Sequence, residues 1–378
     1  MDVRSFSGCA WLAAAALLLA ATRGCVQDPA ELDAEQARIA AESKLNESSS
    51  PRPPDAPTLL HQAVVVLSTR AYGRQRLDWP AVQREVGAGL KAGDPPASAH
   101  AAIAAATARL GDPHARFIPA QPPVTQAAQQ PKAGKPAAPA PKQPEIPTSP
   151  QVTMLPDGCA YLIVPGCNAP DAEGLRAYAR QARAAIAVGQ AAGARAWVID
   201  LRLNGGGNLW PMLLGLAPLL DSGVQMTMVG AEGKESDFGV SDAWAWIDWG
   251  KGPEMQLDWA GSPPTPAAKV NGRVAVLIGP WTMSSGEALA ICLSGRSGVR
   301  TFGEPTAGLT TVTNTFPLSD GSVLNLPVSA MGDRAGRVVA GKVQPDVAAA
   351  FDDWPSATDA AAKAARAWAL EGAAGGGK

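Results

Sequence analysis

From residue 58 to about residue 110, apolar side chains recur at helical intervals. Leu59, Leu60, Ala63, Val64 and Leu67 share one face, a second stretch follows Trp79-Pro80, and a third runs through 101–110. The spacing predicts a small helical domain. Beyond residue 150 the period changes. Ala160-Tyr161-Leu162-Ile163-Val164 reads as a buried strand, 171–192 as a long amphipathic helix, and Ala196-Trp197-Val198-Ile199-Asp200-Leu201 as a second buried strand. A glycine turn at 205–207 leads into a helical run over 209–220. Residues 273–279 predict another strand, followed by a helix starting near Ser284. Shorter β-like pieces follow at 299–302, 310–316 and 323–328, and an Ala-rich helix closes the chain. Continuous apolar strands alternating with helices predict an α/β fold, a mixed or parallel sheet covered by helices.

The segments outside these patterns set the domain organisation. Arg4 precedes an apolar run over 9–21 that is too short to cross a bilayer, so residues 1–25 read as a secretory signal. It ends near Thr22-Arg23-Gly24-Cys25, where Gly before Cys resembles a bacterial lipobox and makes Cys25 a candidate lipid anchor. Two destinations stay open: free export to the periplasm, or anchoring by lipid on the periplasmic side. Residues 26–57 are a polar tether, 58–118 the helical N-terminal domain, 151–350 the α/β core, and 351–378 a C-terminal helix and tail. Between the domains, 119–150 holds ten prolines in 32 residues and cannot bury enough apolar surface to fold. As an extended linker it reaches roughly 100 Å, leaving the position of His114 unconstrained.

Composition narrows the chemistry. The 32 Lys and Arg against 34 Asp and Glu give a net charge of −2, which argues against a nucleic-acid partner. Three histidines, five cysteines, no H-E-x-x-H and no C-x-x-C leave no expected metal site, and no cofactor is expected. Cys159 and Cys167 flank an extended strand of some 26 Å and should not pair with each other. Cys292 lies in an apolar helix pattern and reads as a small core residue.

The candidate chemistry lies in Gly279-Pro280-Trp281-Thr282-Met283-Ser284-Ser285-Gly286-Glu287, between a buried strand and a helix. A serine there stands at the carboxyl end of a sheet and at a helix N-terminus, where free amides and the dipole favour an oxyanion. Helix capping by Ser284 or Ser285 explains the same position. An α/β-hydrolase is excluded by chain order, because His61, His100 and His114 all precede Ser284.

Three segments together resemble the tail-specific, or C-terminal-processing, serine protease family: Asp200-Leu201-Arg202-Leu203-Asn204-Gly205-Gly206-Gly207, then Thr282-Met283-Ser284-Ser285-Gly286-Glu287, then Gly303-Glu304-Pro305-Thr306-Ala307-Gly308. Gly111-Asp112-Pro113-His114 and Gln344-Pro345-Asp346-Val347 fit as well, and the likeness covers most of 58–350. The resemblance implies a crotonase-like α/β core with a small N-terminal helical domain. It implies Ser284 as nucleophile, with an oxyanion hole from Ser285 and the Gly205-Gly206 turn. Asp200 and Arg202 would pair on one strand face. Glu287, one helical turn past Ser284, reads as a structural residue.

Departures from the family pattern shape the expected mechanism. Where the lysine-dependent branch carries its general base, this chain has Leu309. The tricorn-type branch takes its base from a histidine at the end of the N-terminal domain, which maps to His114. Its acid is missing before Gly341, and Asp333 is the nearest candidate. The family's PDZ domain is absent, its place taken by the proline tract. His61 and His100 read as structural. Trp244, Trp246, Trp249 and Trp259 cluster, with Trp210 after the glycine turn and Trp281 beside the serine. Trp210 and Trp281 are candidate substrate contacts. The expectation is an exported serine peptidase acting on a peptide or protein through an acyl-enzyme; the alternative is an inactive peptide- or ligand-binding protein on the same fold.

Overall fold

A computed structural model describes residues 54–120, 147–261, 267–350 and 356–374. The signal segment, most of the tether and nearly all of the proline tract lie outside the described residues. Those described fall into two compact units, one from within 54–120 and 313–329, the other from within 147–312 and 330–374.

The first unit is built on three short helices. Asp55 accepts the Thr58 N–H at 3.1 Å to start α1 (Ala56–Arg70), and Asp78 accepts that of Ala81 at 3.1 Å to start α2 (Trp79–Gly87). Pro57 and Pro80 occupy first-turn positions where no N–H is needed. Leu59, Leu60, Ala63, Val64 and Leu67, the face predicted from spacing, are buried with Ile103 and Ala106 of α3 (His100–Ala108). Leu318, Leu324 and Leu326 complete this core from far downstream. A short strand, β1 (Arg116–Ile118), pairs antiparallel with residues 323–325. His100 is structural here: its Nε2 meets Asp320 Oδ2 at 2.7 Å. His61 is exposed rather than packed among apolar residues, with Nδ1 3.4 Å from Gln83 Oε1.

The second unit contains a mixed six-stranded sheet. Its strands are β2 (Gln151–Met154), β3 (Cys159–Ile163), β4 (Ala196–Asp200), β9 (Val274–Ile278), β10 (Val299–Gly303) and β13 (Val347–Ala348). The order is β13-β10-β9-β4-β3-β2, parallel throughout except for β2 against β3. Both faces are covered, which is why the strands read as unbroken apolar runs. Trp197, Ile199, Val274, Val276 and Ile278 share a core with α4 (Ala172–Ala191), α5 (Leu209–Gly215) and α6 (Ser285–Ser294). The alternate positions, Ala196, Val198, Ala275 and Leu277, pack on Ala361, Ala362, Ala365 and Ala369 of α7 (Ala360–Ala374).

Of a second, antiparallel sheet the sequence showed only the short pieces at 310–316 and 323–328, and its main part went unread. It is a meander of β5 (Gly223–Gly230), β6 (Gly233–Val240), β7 (Trp244–Asp248) and β8 (Pro253–Asp258). Two further strands are β11 (Thr311–Pro317) and β12 (Val323–Gly332), and residues 330–332 of β12 pair with β5. The clustered tryptophans belong to this meander. Trp259 is buried and donates its indole N–H to Asp242 O at 2.7 Å, while Trp246 lies across Gly239, whose missing Cβ makes room for the ring.

Behind the parallel sheet a buried ionic network ties α7 to β4. Arg202 contacts both Asp200 oxygens, at 3.0 and 2.8 Å, and donates to Asp359 Oδ2 at 2.6 Å and to the Tyr161 hydroxyl at 2.9 Å. Asp200 and Arg202 thus pair as expected. Burial alone would raise the Asp359 carboxyl, but the Ala362 and Ser356 amides and the Arg202 guanidinium outweigh it and hold it below the usual carboxylate range. A carboxylate depressed on folding stabilises the protein above its unfolded pKa of about 4, and that contribution is lost as pH falls through the folded value. Asp359→Ala, which leaves Arg202 paired with Asp200 but takes away its charged partner at the start of α7, should lower unfolding free energy by about 1–3 kcal/mol at neutral pH in a urea titration. A loss under about 1 kcal/mol would show that α7 is held by its alanine face alone.

Candidate active site

Strand β9 ends at Ile278, and the chain turns through Gly279–Met283 before α6 begins. Ser284, the residue before that helix, has φ 53° and ψ −118°. Among described non-glycine residues only Ala260 shares a positive φ. Such a conformation costs of order 1–3 kcal/mol and persists only where its surroundings over-determine it.

They do. Thr282, fully buried, donates its hydroxyl to Leu201 O at 2.9 Å and accepts the Gly279 N–H at 3.0 Å. The Met283 N–H reaches Asn204 O at 2.9 Å. Ser284 donates its own N–H to Glu287 Oε2 at 2.9 Å. The Glu287 carboxylate is fully buried and also accepts from the Thr306 hydroxyl and from the amides of Gly308 and Leu309 at 2.8 and 2.7 Å. The turn at 306–309 is therefore fastened to the serine elbow through one side chain.

Opposite the elbow lies the glycine turn after β4. Asn204, also fully buried, donates its amide to Val164 O at 3.1 Å and accepts the Gly206 N–H at 3.0 Å. Gly206 has φ +95°, and a Cβ there would stand 2.9 Å from both Met283 O and Ser284 Cβ. At Gly207, φ +102°, a Cβ would meet Cys167 O at 2.1 Å. Only glycines allow this turn to lie against the serine. The N–H of Gly206, expected to face an oxyanion, is taken by Asn204. Those of Gly205 and Ser285 find no backbone acceptor among the described residues, and the Ser285 amide opens α6 at the positive end of its dipole. The Ser285 hydroxyl donates to Gly207 O at 2.5 Å.

The other expected site residues fall as follows. Trp281, on the elbow, is 43% exposed. Trp210, expected at a substrate wall, is instead only 4% exposed and stacks on Phe238 at 4.9 Å; an indole so enclosed belongs to the core. Asp333 corrects a second expectation. Its Oδ1 accepts the amides of Ala335 and Arg337, and its Oδ2 the Arg337 guanidinium at 2.7 Å. Burial pushes its carboxyl up, yet these donors hold it below the usual range, as suits a turn-forming carboxylate. In the first unit, His114 is half-buried, with its N–H accepted by Asp112 Oδ1 at 2.8 Å. Cys159, Cys167 and Cys292 are buried free thiols, and burial pushes Cys159 and Cys292 up to about 12. Sequence reasoning missed the hub roles of Asn204 and Thr306. The visible signal was a lone Asn leading into three glycines.

Comparison with known proteins accords with this geometry. The profile of Peptidase family S41 matches residues 158–349. A nisin-resistance protein of Lactococcus lactis subsp. lactis is 31% identical over 152 residues, covering 40% of this chain and 45% of that protein. The match thus spans less than half of that relative's length. Among solved structures, a lipoprotein from Streptococcus agalactiae superposes with a TM-score of 0.62 at 18% identity, over 85% of this chain and 98% of that one. The photosystem II D1 C-terminal processing protease gives 0.53 at 18% identity, over 78% and 93%. At such identities the two structures share the fold, a mixed α/β architecture. With the profile match spanning more than half of its length, the chain belongs to peptidase family S41.

Proposed function

We propose that this protein is an exported serine peptidase that hydrolyses peptide bonds through an acyl-enzyme on Ser284. The observation that carries this reading is the positive-φ elbow at Ser284, held near two amides that find no backbone acceptor among the described residues. His114 acts as general base and removes the Ser284 hydroxyl proton as Oγ bonds to the scissile carbonyl carbon. The carbonyl oxygen takes up the negative charge and accepts from the amides of Ser285 and Gly205, while Gly206 contributes by close approach. His114 then delivers the proton to the leaving amine as the C–N bond breaks. Water, deprotonated by the same imidazole, releases the acyl group and restores Ser284.

Ser284 is preferred over Ser285 because the Ser285 hydroxyl is spent on Gly207 O. Leu309 brings no amine, so the base must come from elsewhere, as in the tricorn-type branch of the family. Asp333 receives no role in proton transfer. Trp281 is the surviving candidate for contact with a peptide side chain. The Lactococcus relative is named for nisin resistance, so nisin is the first peptide to offer as a substrate. Residues 1–25 serve as the export signal, with Cys25 as candidate lipid anchor on the periplasmic side, and 119–150 as a passive tether. The second reading, a non-catalytic peptide-binding protein, draws on Leu309 at the place of the family lysine.

A fluorophosphonate probe separates the two. Wild type should label, Ser284→Ala should not, and Ser285→Ala should still label; no labelling of wild type would favour the binding protein. Acylation should fall on the acid side of an imidazole-like pKa, about 6.5 when unperturbed, because only neutral imidazole accepts the proton. His114→Ala should slow acylation by several orders of magnitude and abolish that acid limb; a retained limb would remove His114 from the mechanism. Limited proteolysis should cut first within 119–150, and protection of that tract while 58–118 is digested would contradict its role as a tether.

A further inference from the structure

His114 is held by its main chain from both sides. Its N–H is accepted by Asp112 Oδ1 at 2.8 Å, and the Ala115 N–H closes the turn onto Asp112 O at 3.0 Å. On the other side, Asn325 Nδ2 donates to the His114 carbonyl oxygen at 2.9 Å. The ladder between β1 and 323–325 ends at Arg116, which faces Asn325 in register. Two residues earlier the backbone has turned away from the ladder, and the Asn325 side chain extends the hydrogen bonding to the carbonyl there. Leu324 and Leu326, on either side, are fully buried, so strand alternation sends residue 325 to the opposite face. Nothing in the core calls for an amide at that position.

We propose that Asn325 is a positioning residue for His114. By holding the carbonyl while Asp112 holds the N–H, it fixes both peptide planes that flank the His114 Cα. The imidazole is then left with only its two side-chain torsions. The strand that follows His114, β1, is itself steadied: the Phe117 ring meets His100 at 5.1 Å, and His100 pairs with Asp320 at 2.7 Å. The inference rests on His114 as general base. It adds the residue that sets where the main chain places the His114 Cα–Cβ bond, and a misplacement of about 1 Å in such a group costs up to about a hundredfold in rate.

The test is a double-mutant cycle on the full chain, read as the rate of Ser284 labelling by a fluorophosphonate. Asn325→Asp replaces the donor by a carboxylate that repels the carbonyl, and should slow labelling about ten- to a hundredfold. Asn325→Gln keeps an amide donor on a longer stem and should retain most of the rate. In a His114→Ala background, where labelling is followed over hours with excess probe, Asn325→Asp should add nothing further. Wild-type labelling by Asn325→Asp would overturn the proposal, as would a slowing that adds in full to His114→Ala, since that would mark a general structural effect. The base assignment is read separately from His114→Ala alone. If that variant labels at the wild-type rate, the base reading fails, and the role of Asn325 with it.

Discussion

A carboxylate without access to water is costly unless every lone pair it presents is met. Glu287 is in that position, and it is met by three amides and a hydroxyl, from Ser284, Gly308, Leu309 and Thr306. It also lies in the first turn of α6, where the helix dipole favours negative charge. Because those donors come from two separate stretches of chain, satisfying the carboxylate fixes both at once. The strained backbone of Ser284 and the turn that ends at Leu309 are therefore two consequences of one burial. In a Ser–Lys peptidase the same geometry would set an amine beside the serine. Here residue 309 is a leucine, and the proposed mechanism draws its proton acceptor from another part of the chain.

Asn204 does for the opposite wall what Glu287 does for the elbow. Its side chain joins the end of β3 to the glycine turn, and its carbonyl takes the Met283 N–H. The turn and the elbow approach so closely that a single Cβ at Gly206 would collide with Ser284. Both walls hang from the carboxyl ends of parallel strands packed on each face, so the site inherits the rigidity of the sheet. The network of Tyr161, Asp200, Arg202 and Asp359 closes the far face by fastening α7.

Trp210 and Trp281 illustrate how far a residue type can mislead. Both are aromatic, both stand near a family motif, and sequence alone treats them alike. One is sealed against Phe238 and the other stands 43% exposed on the elbow, because α5 faces the core while the turn after β9 faces outward. Asp333 is a similar case. Its place near the end of the core suggested a catalytic acid, yet the turn it starts uses both of its oxygens on nearby donors.

The sequence by itself determined the parallel sheet, the order of its helices and the position of the serine elbow. Strands buried on both faces must be continuously apolar, and amphipathic helices must repeat every three to four residues, so both patterns are written locally. The three helices of the first unit were legible for the same reason. The meander of β5 to β8 was not, because its strands carry glycines and half-buried tryptophans that blur the alternation. Only the tertiary structure decided that residues 318–326 complete the core around α1, and that Glu287 and Asn204 are hubs. Those roles depend on hydrogen-bond partners that lie from 19 residues away, as for Glu287 and Thr306, to 40 away, as for Asn204 and Val164, or, for Asn325 and His114, 211 away. A hydrogen bond between distant residues leaves no periodicity in the chain. It exists only once folding has brought donor and acceptor within about 3 Å of each other.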